Sequence, residues 1–137
     1  MAEKSKVVQF NSPGYAHAQN GKVERTNRTG QEIIRFFHGL SGVPLRYWNY
    51  SCAHAELILD VIPKAAHNYV SSYFLRCGRQ PHLSKVTTYG CRVAVLKPKE
   101  VRKHKFDVRD WECVNLGWDP KQIGFICLRL DDGRVFV

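Results

Sequence analysis

The spacing of apolar positions changes twice along the chain. Val7-Val8-Gln9-Phe10 alternates over a span short enough for an edge strand. Ser12 onward carries turn chemistry, Pro13-Gly14 and then Asn20-Gly21, and predicts a loop. From about Asn20 to about Leu40 the period becomes helical: Val23, Thr26, Gly30, Ile33, Ile34 and Phe37 fall on one face. Glu24, Arg28, Gln31 and Arg35 line the flank beside that face. Gly39, Ser41-Gly42 and Pro44 close this helix and open a second, since proline suits a first helical turn. Between Leu45 and Ile62 the residues Trp48, Cys52, Ala55, Leu59 and Ile62 recur at four-three spacing. That stripe predicts a packing face with Trp48 in the core, and Pro63 ends the helix.

A connector follows, with two prolines and one apolar patch, Tyr69 to Leu75, that predicts a short helix. Beyond Val86 the period shortens to that of strands. Arg92–Leu96, Cys113–Leu116, Phe125–Leu130 and Arg134–Val137 are alternating or β-branched runs, separated by Pro98, Gly117, Asp119-Pro120, Gly124 and Asp131-Asp132-Gly133. The Asp-Gly pair between the last two runs is a hairpin signal. Short strands at this density predict a small barrel or curled sheet. The class is therefore α+β, with two helices in residues 1–62, a connector in 63–85 and a small β unit in 86–137.

Charge narrows the choice of partner. The chain carries a formal +9, with 21 Lys and Arg against 12 Asp and Glu. An acidic partner is expected, DNA or another nucleic acid ahead of a membrane surface. No apolar run approaches the length of a membrane span, and the N-terminus lacks a signal-peptide core, so nothing points to export. The 5 cysteines form no C-x-x-C pair; neither a zinc ribbon nor a disulfide framework is supported, and buried reduced thiols in an intracellular protein are expected. Lys97, Lys99, Arg102, Lys103 and Lys105 make the stretch after Leu96 the most basic in the chain. It reads either as a solvated hairpin loop or as an arm that contacts phosphates. Trp111, just beyond it, is expected to pack on the strands.

Glu24 stands alone among cations near the start of the first helix, with Lys22, Arg25, Arg28 and Arg35 around it. One reading makes it a solvated residue paired with Arg28 four positions on. The other makes it a metal ligand, because Mg²⁺ takes hard carboxylate oxygens together with phosphate oxygens. The residue pattern leaves both open.

The run SPGYAHAQNGKVERTNRT, Ser12 to Thr29, resembles the third acidic motif of the integrases of copia-type long-terminal-repeat retrotransposons. The resemblance continues in order through Gly42-Val43-Pro44 and Trp48, Gly78 to Pro81, Tyr89-Gly90-Cys91, Lys97 to Asp107 and Asn115-Leu116-Gly117-Trp118. It implies that the two helices close an RNase H-like catalytic core and that the β unit is a small Src-homology-3-like barrel. It also implies that Glu24 is the last of three acids holding two Mg²⁺ for polynucleotidyl transfer in the nucleus. The catalytic and metal roles thus fall on Glu24, and nucleic-acid contact on Lys22, Arg25, Arg28, Arg35, Lys97, Lys99, Arg102, Lys103 and Lys105. Of the 23 residues before Glu24 only Glu3 is acidic, and the Asp-Asn-Gly pattern of the second aspartate does not occur. The expectation is a fragment of an integrase that neither joins nor cleaves DNA alone and would need the rest of the integrase, or another integrase chain, to complete the site. The alternatives are a non-catalytic basic module that binds nucleic acid, or a structural remnant.

Overall fold

The computed structural model describes residues 17–102 and 104–137. The expected Val7–Phe10 strand, the Pro13-Gly14 turn, Lys103 and the Lys22 side chain lie outside the described residues. In chain order the elements are α1 (His17–Ser41), a 3-10 turn (Leu45–Tyr47), α2 (Trp48–Val61), β1 (Pro63–Lys64), β2 (Val70–Ser71), α3 (Ser72–Cys77), β3 (Arg92–Leu96), β4 (Asp110–Asp119), β5 (Gly124–Arg129) and β6 (Val135–Phe136).

α1 begins earlier than the turn residues predicted. It runs straight through Asn20-Gly21, and the Arg25 guanidinium donates back to the Gly21 carbonyl at 3.3 Å. Residues 23–29 of α1 are all exposed, Val23 being 60 % accessible. Only from Gly30 onward do Ile33, Ile34, Phe37 and His38 become half-buried. α1 is therefore a stem whose C-terminal half is docked.

The middle of the predicted stripe holds and its ends do not. Ala55 is buried and Cys52 and Leu59 are half-buried, with Ser51 and His54 buried beside them, whereas Trp48 is 58 % exposed and Ile62 is exposed at the far end. α2 is wedged between α1 and β4, so its core side is the one facing both neighbours. Trp48 and Ile62 sit at its two ends, beyond that wedge. Ile62 is extended, as a residue before proline tends to be, and the helix stops there. Within the connector, β1 and β2 form a two-stranded antiparallel ribbon. The Ser71 hydroxyl accepts from the Phe74 amide at 3.1 Å and caps α3.

The β unit is an antiparallel meander in the order β3-β4-β5-β6. It is open where a barrel was expected. β6 pairs with β5 at two positions, Cys127↔Phe136 and Leu128↔Val135, and among the described residues no ladder joins it to β3. Two residues of pairing are too few to carry the sheet round to its other edge. β4 is the centre of the unit, buried without interruption from Cys113 to Gly117. Gly117 was expected to separate two strands and instead sits inside β4, where the register shifts between Asn115 and Gly117. Its φ of +127° is open to glycine. A Cβ built there would stand 3.2 Å from His54 Nδ1, so the missing side chain is also what lets α2 approach the strand.

One core joins helices and sheet. Val43, Tyr89, Val114, Leu116 and Leu128 are buried together, and Phe37, Tyr47, Tyr50, Ile126 and Val135 pack around them. Phe37 stacks on Tyr89 with ring centroids 5.1 Å apart. Gly90 touches α1 so closely that a Cβ would fall 2.0 Å from that of Ser41. The basic loop between β3 and β4 is thus carried by a strand that the helices hold in place.

Candidate nucleic-acid interface

The candidate cations fall on two separate elements, the stem of α1 and the loop between β3 and β4. On the stem, Glu24, Arg25, Arg28 and Arg35 are all exposed. The expected Glu24–Arg28 pair is not formed. Arg28 Nε turns the other way and donates to Glu32 at 3.2 Å. Both partners are exposed, at 81 % and 57 % of their side-chain area, so the pair is worth little and is broken easily by a competing anion. Among the described residues Glu24 is exposed, with no hydrogen bond or ion pair to it.

The residues present do not fit the two-Mg²⁺ site that the resemblance implies. Two divalent ions close together need several carboxylates to offset their repulsion. Among the described residues no group of three or more His, Cys, Asp or Glu could hold a metal ion. A cleft of about 660 Å³ does lie beside the stem, between α1, α2 and α3, with Glu56, Asp60, Lys64 and Arg76 in its wall. Glu24 is not part of that wall. The two nearest charges in it neutralise each other, Arg76 donating to both Asp60 oxygens at 3.1 and 2.6 Å.

The β3–β4 loop divides its cations into two kinds. Lys97 and Arg102 hold the loop's own backbone. The Lys97 amide donates to the Arg109 carbonyl at 2.7 Å and closes the loop, and Lys97 Nζ reaches the Val108 carbonyl at 3.1 Å. Arg102 donates through Nε and Nη2 to the Lys97 carbonyl at 3.0 and 2.6 Å. A guanidinium used this way is a brace first and a phosphate contact second. At the tip, the Asp107 carboxylate accepts from the His104 amide at 2.9 Å and fixes a tight turn. Lys99 and Lys105 are exposed and point their charge to solvent. Sequence reasoning grouped all of these as one basic run, and no spacing signal separates the brace from the free charge, because the division depends on which carbonyls the folded loop presents.

Two features near the sheet escaped the sequence reading. Phe106 at the loop tip is 93 % exposed. His54 is 2 % exposed, with neither ring nitrogen hydrogen-bonded among the described residues. Burial pushes its pKa below the ordinary value, the backbone of Thr87 pulling weakly the other way. Tyr89, beside it, is pushed up to about 12 by burial. Its hydroxyl has no hydrogen-bond partner among the described residues, and the Ser51 hydroxyl instead meets the Trp48 carbonyl at 2.7 Å and His38 Nε2 at 3.0 Å. The aromatics elsewhere pack as expected of Trp111, which meets Phe136 edge-on at 5.9 Å and lies under Arg129. Cys113 and Cys127 are buried, whereas Cys77 is exposed, contrary to the expectation of buried thiols throughout.

Comparison with known proteins gives the chain a context. It is 26 % identical over 132 residues, 96 % of its length, to the retrovirus-related Pol polyprotein from transposon RE1 of Arabidopsis thaliana. It is 25 % identical over 95 % of its length to the corresponding polyprotein from transposon RE2 of the same plant. A third relative, from transposon TNT 1-94 of Nicotiana tabacum, is 24 % identical over 77 % of the chain. The chain is homologous to retrotransposon Pol polyproteins of plants. It spans 9 % of the length of the first two and 8 % of the third. No family model matches the chain, and no solved structure matches it. Among the described residues no helix is long and apolar enough to cross a membrane.

Proposed function

We propose that this chain is the part of a copia-type integrase that closes its RNase H-like core and continues into the small β unit, and that its own chemistry is to hold nucleic acid. The observation that carries the reading is the exposure of Arg25, Arg28 and Arg35 on the α1 stem and of Lys99 and Lys105 on the loop, in a chain with a net charge of +9. Exposed cations of this kind neutralise phosphates and release counterions, which gives affinity without sequence preference. Similarity to polyproteins of transposons, over nearly the whole chain, supports DNA as the polymer. In this reading Glu24 is one acid of a site whose other carboxylates are not among these residues, so the chain binds DNA and does not by itself transfer strands.

Mobility shift on duplex DNA tests this. Binding at low salt that survives EDTA and Glu24→Gln, and that weakens in Arg25→Ala/Arg28→Ala and in Lys99→Ala/Lys105→Ala, is the expected result. Strand transfer by the chain alone with Mg²⁺, lost in Glu24→Gln, would overturn the inactive assignment. No shift at low salt would leave a structural remnant.

A further inference from the structure

We infer that Phe106 is a stacking platform for an unpaired base, and that the β3–β4 loop therefore prefers single-stranded nucleic acid to duplex. The inference rests on the nucleic-acid reading above and adds to it the form of polymer that the loop selects.

Phe106 has 93 % of its surface in water, at the tip of a loop where Lys99, His104 and Lys105 are exposed and the other exposed apolar side chains are the smaller Val101 and Val108. The backbone on either side of it is fixed. Asp107 Oδ2 accepts from the His104 amide, the Asp107 amide donates to the His104 carbonyl at 3.2 Å, and Arg102 braces the base of the loop. The ring is thus held outward by a built turn. It is flanked by Lys105, with Lys99 exposed on the same loop. An aromatic face among cations meets the two needs of a single strand, a surface for the base and positive charge for the phosphate. Bases in a duplex are already stacked on each other and offer the ring no face, so duplex gains from the lysines alone.

The same exposed ring could in principle enter a lipid surface. Asp107 argues against that. Its carboxylate holds the turn directly beside Phe106, and burying the ring in a headgroup layer would take a charged group out of water with it. Stacking requires contact with one ring face only.

The test is fluorescence anisotropy of the full chain with a labelled oligothymidylate of about 16 nucleotides and with a duplex of the same length. Phe106→Ala is expected to weaken single-strand binding by at least about fivefold and duplex binding by less than about twofold. Phe106→Trp is expected to retain the preference, and Lys99→Ala/Lys105→Ala to weaken both ligands together. Phe106 is too exposed for these changes to unfold the chain, and an unchanged melting curve checks that. Equal loss on both ligands, or no loss on either, would overturn the inference while leaving the nucleic-acid reading intact. Loss confined to binding of phosphatidylserine vesicles would overturn it in favour of a lipid surface. Failure of the unaltered chain to bind either DNA at about 50 mM salt would remove the nucleic-acid reading itself.

Discussion

Asn115→Ala is the perturbation whose cost the fold most clearly sets. Asn115 is 2 % exposed at the centre of β4. Its Nδ2 donates to Thr87 Oγ1 at 2.7 Å and to the Thr88 carbonyl at 3.0 Å, and its Oδ1 accepts from the buried Gly117 amide at 3.1 Å across the bulge. The backbone reinforces the same join, the Asn115 amide donating to the Cys91 carbonyl at 2.9 Å and its carbonyl accepting from Gly90 at 2.7 Å. This is the side chain that ties residues 87–91, which lie against α1, to the strand that carries the basic loop. Alanine removes the three side-chain bonds, each worth about 1 kcal/mol net, and leaves the Gly117 amide buried without a partner, so the loss should be about 2–4 kcal/mol. Against the 5–15 kcal/mol that is typical of a folded domain, that is a large part of the total. Urea unfolding followed by tryptophan fluorescence measures it, with Trp111 and Trp118 both on β4. Thr87→Val, which removes one acceptor, should cost about 1 kcal/mol and be strongly non-additive with Asn115→Ala. A loss below about 1 kcal/mol in Asn115→Ala, or full additivity, would refute the assignment of this side chain as the tie between helices and sheet.

Three further outcomes follow from particular contacts. Gly90→Ala puts a Cβ 2.0 Å from Ser41 Cβ at a φ of +76°; it should cost at least about 2 kcal/mol, seen as a fall in melting temperature that Ser41→Gly relieves only in part, because the φ strain stays. His54 titrates below its ordinary 6.5 because it is buried. As pH falls through 6.5 the unfolded chain takes up a proton that the folded chain refuses, so stability declines towards the depressed folded value and is level above 6.5; His54→Leu should flatten that part of a pH series of denaturant midpoints. Glu24→Gln removes one negative charge from an exposed stem, and should leave the melting temperature unchanged while tightening DNA binding slightly in a mobility-shift titration.

What was legible in the sequence depended on how many partners an element has. β3 was predicted at its observed bounds, Arg92–Leu96, because an edge strand with one covered face alternates cleanly. β5 was visible as an apolar, β-branched run ahead of the Asp131-Asp132-Gly133 turn, where Gly133 takes φ +70°. β4 was read as a short run and is ten residues long, since a strand covered on both faces shows no alternation and its bulge hides Gly117 in the middle. The α2 stripe was legible in its middle, where Ala55 is buried, and missed Ser51 and His54, polar and off the stripe, which fill the side that two neighbours share. At the candidate interface the sequence located the cations and their two elements. It did not show that Arg102 is spent on the Lys97 carbonyl or that Arg28 turns to Glu32 in place of Glu24, because both choices depend on side-chain geometry within reach of several acceptors.

The central claim, that this chain grips a polyanion through exposed cations on a stem and a loop, is tested most directly by the salt dependence of duplex DNA binding. With Arg25, Arg28, Arg35, Lys99 and Lys105 each meeting a phosphate, a plot of log K against log salt should fall with a slope between about −3 and −5, and Lys99→Ala/Lys105→Ala should reduce it by about two. A slope shallower than about −1, or one that the double substitution leaves unchanged, would contradict the account.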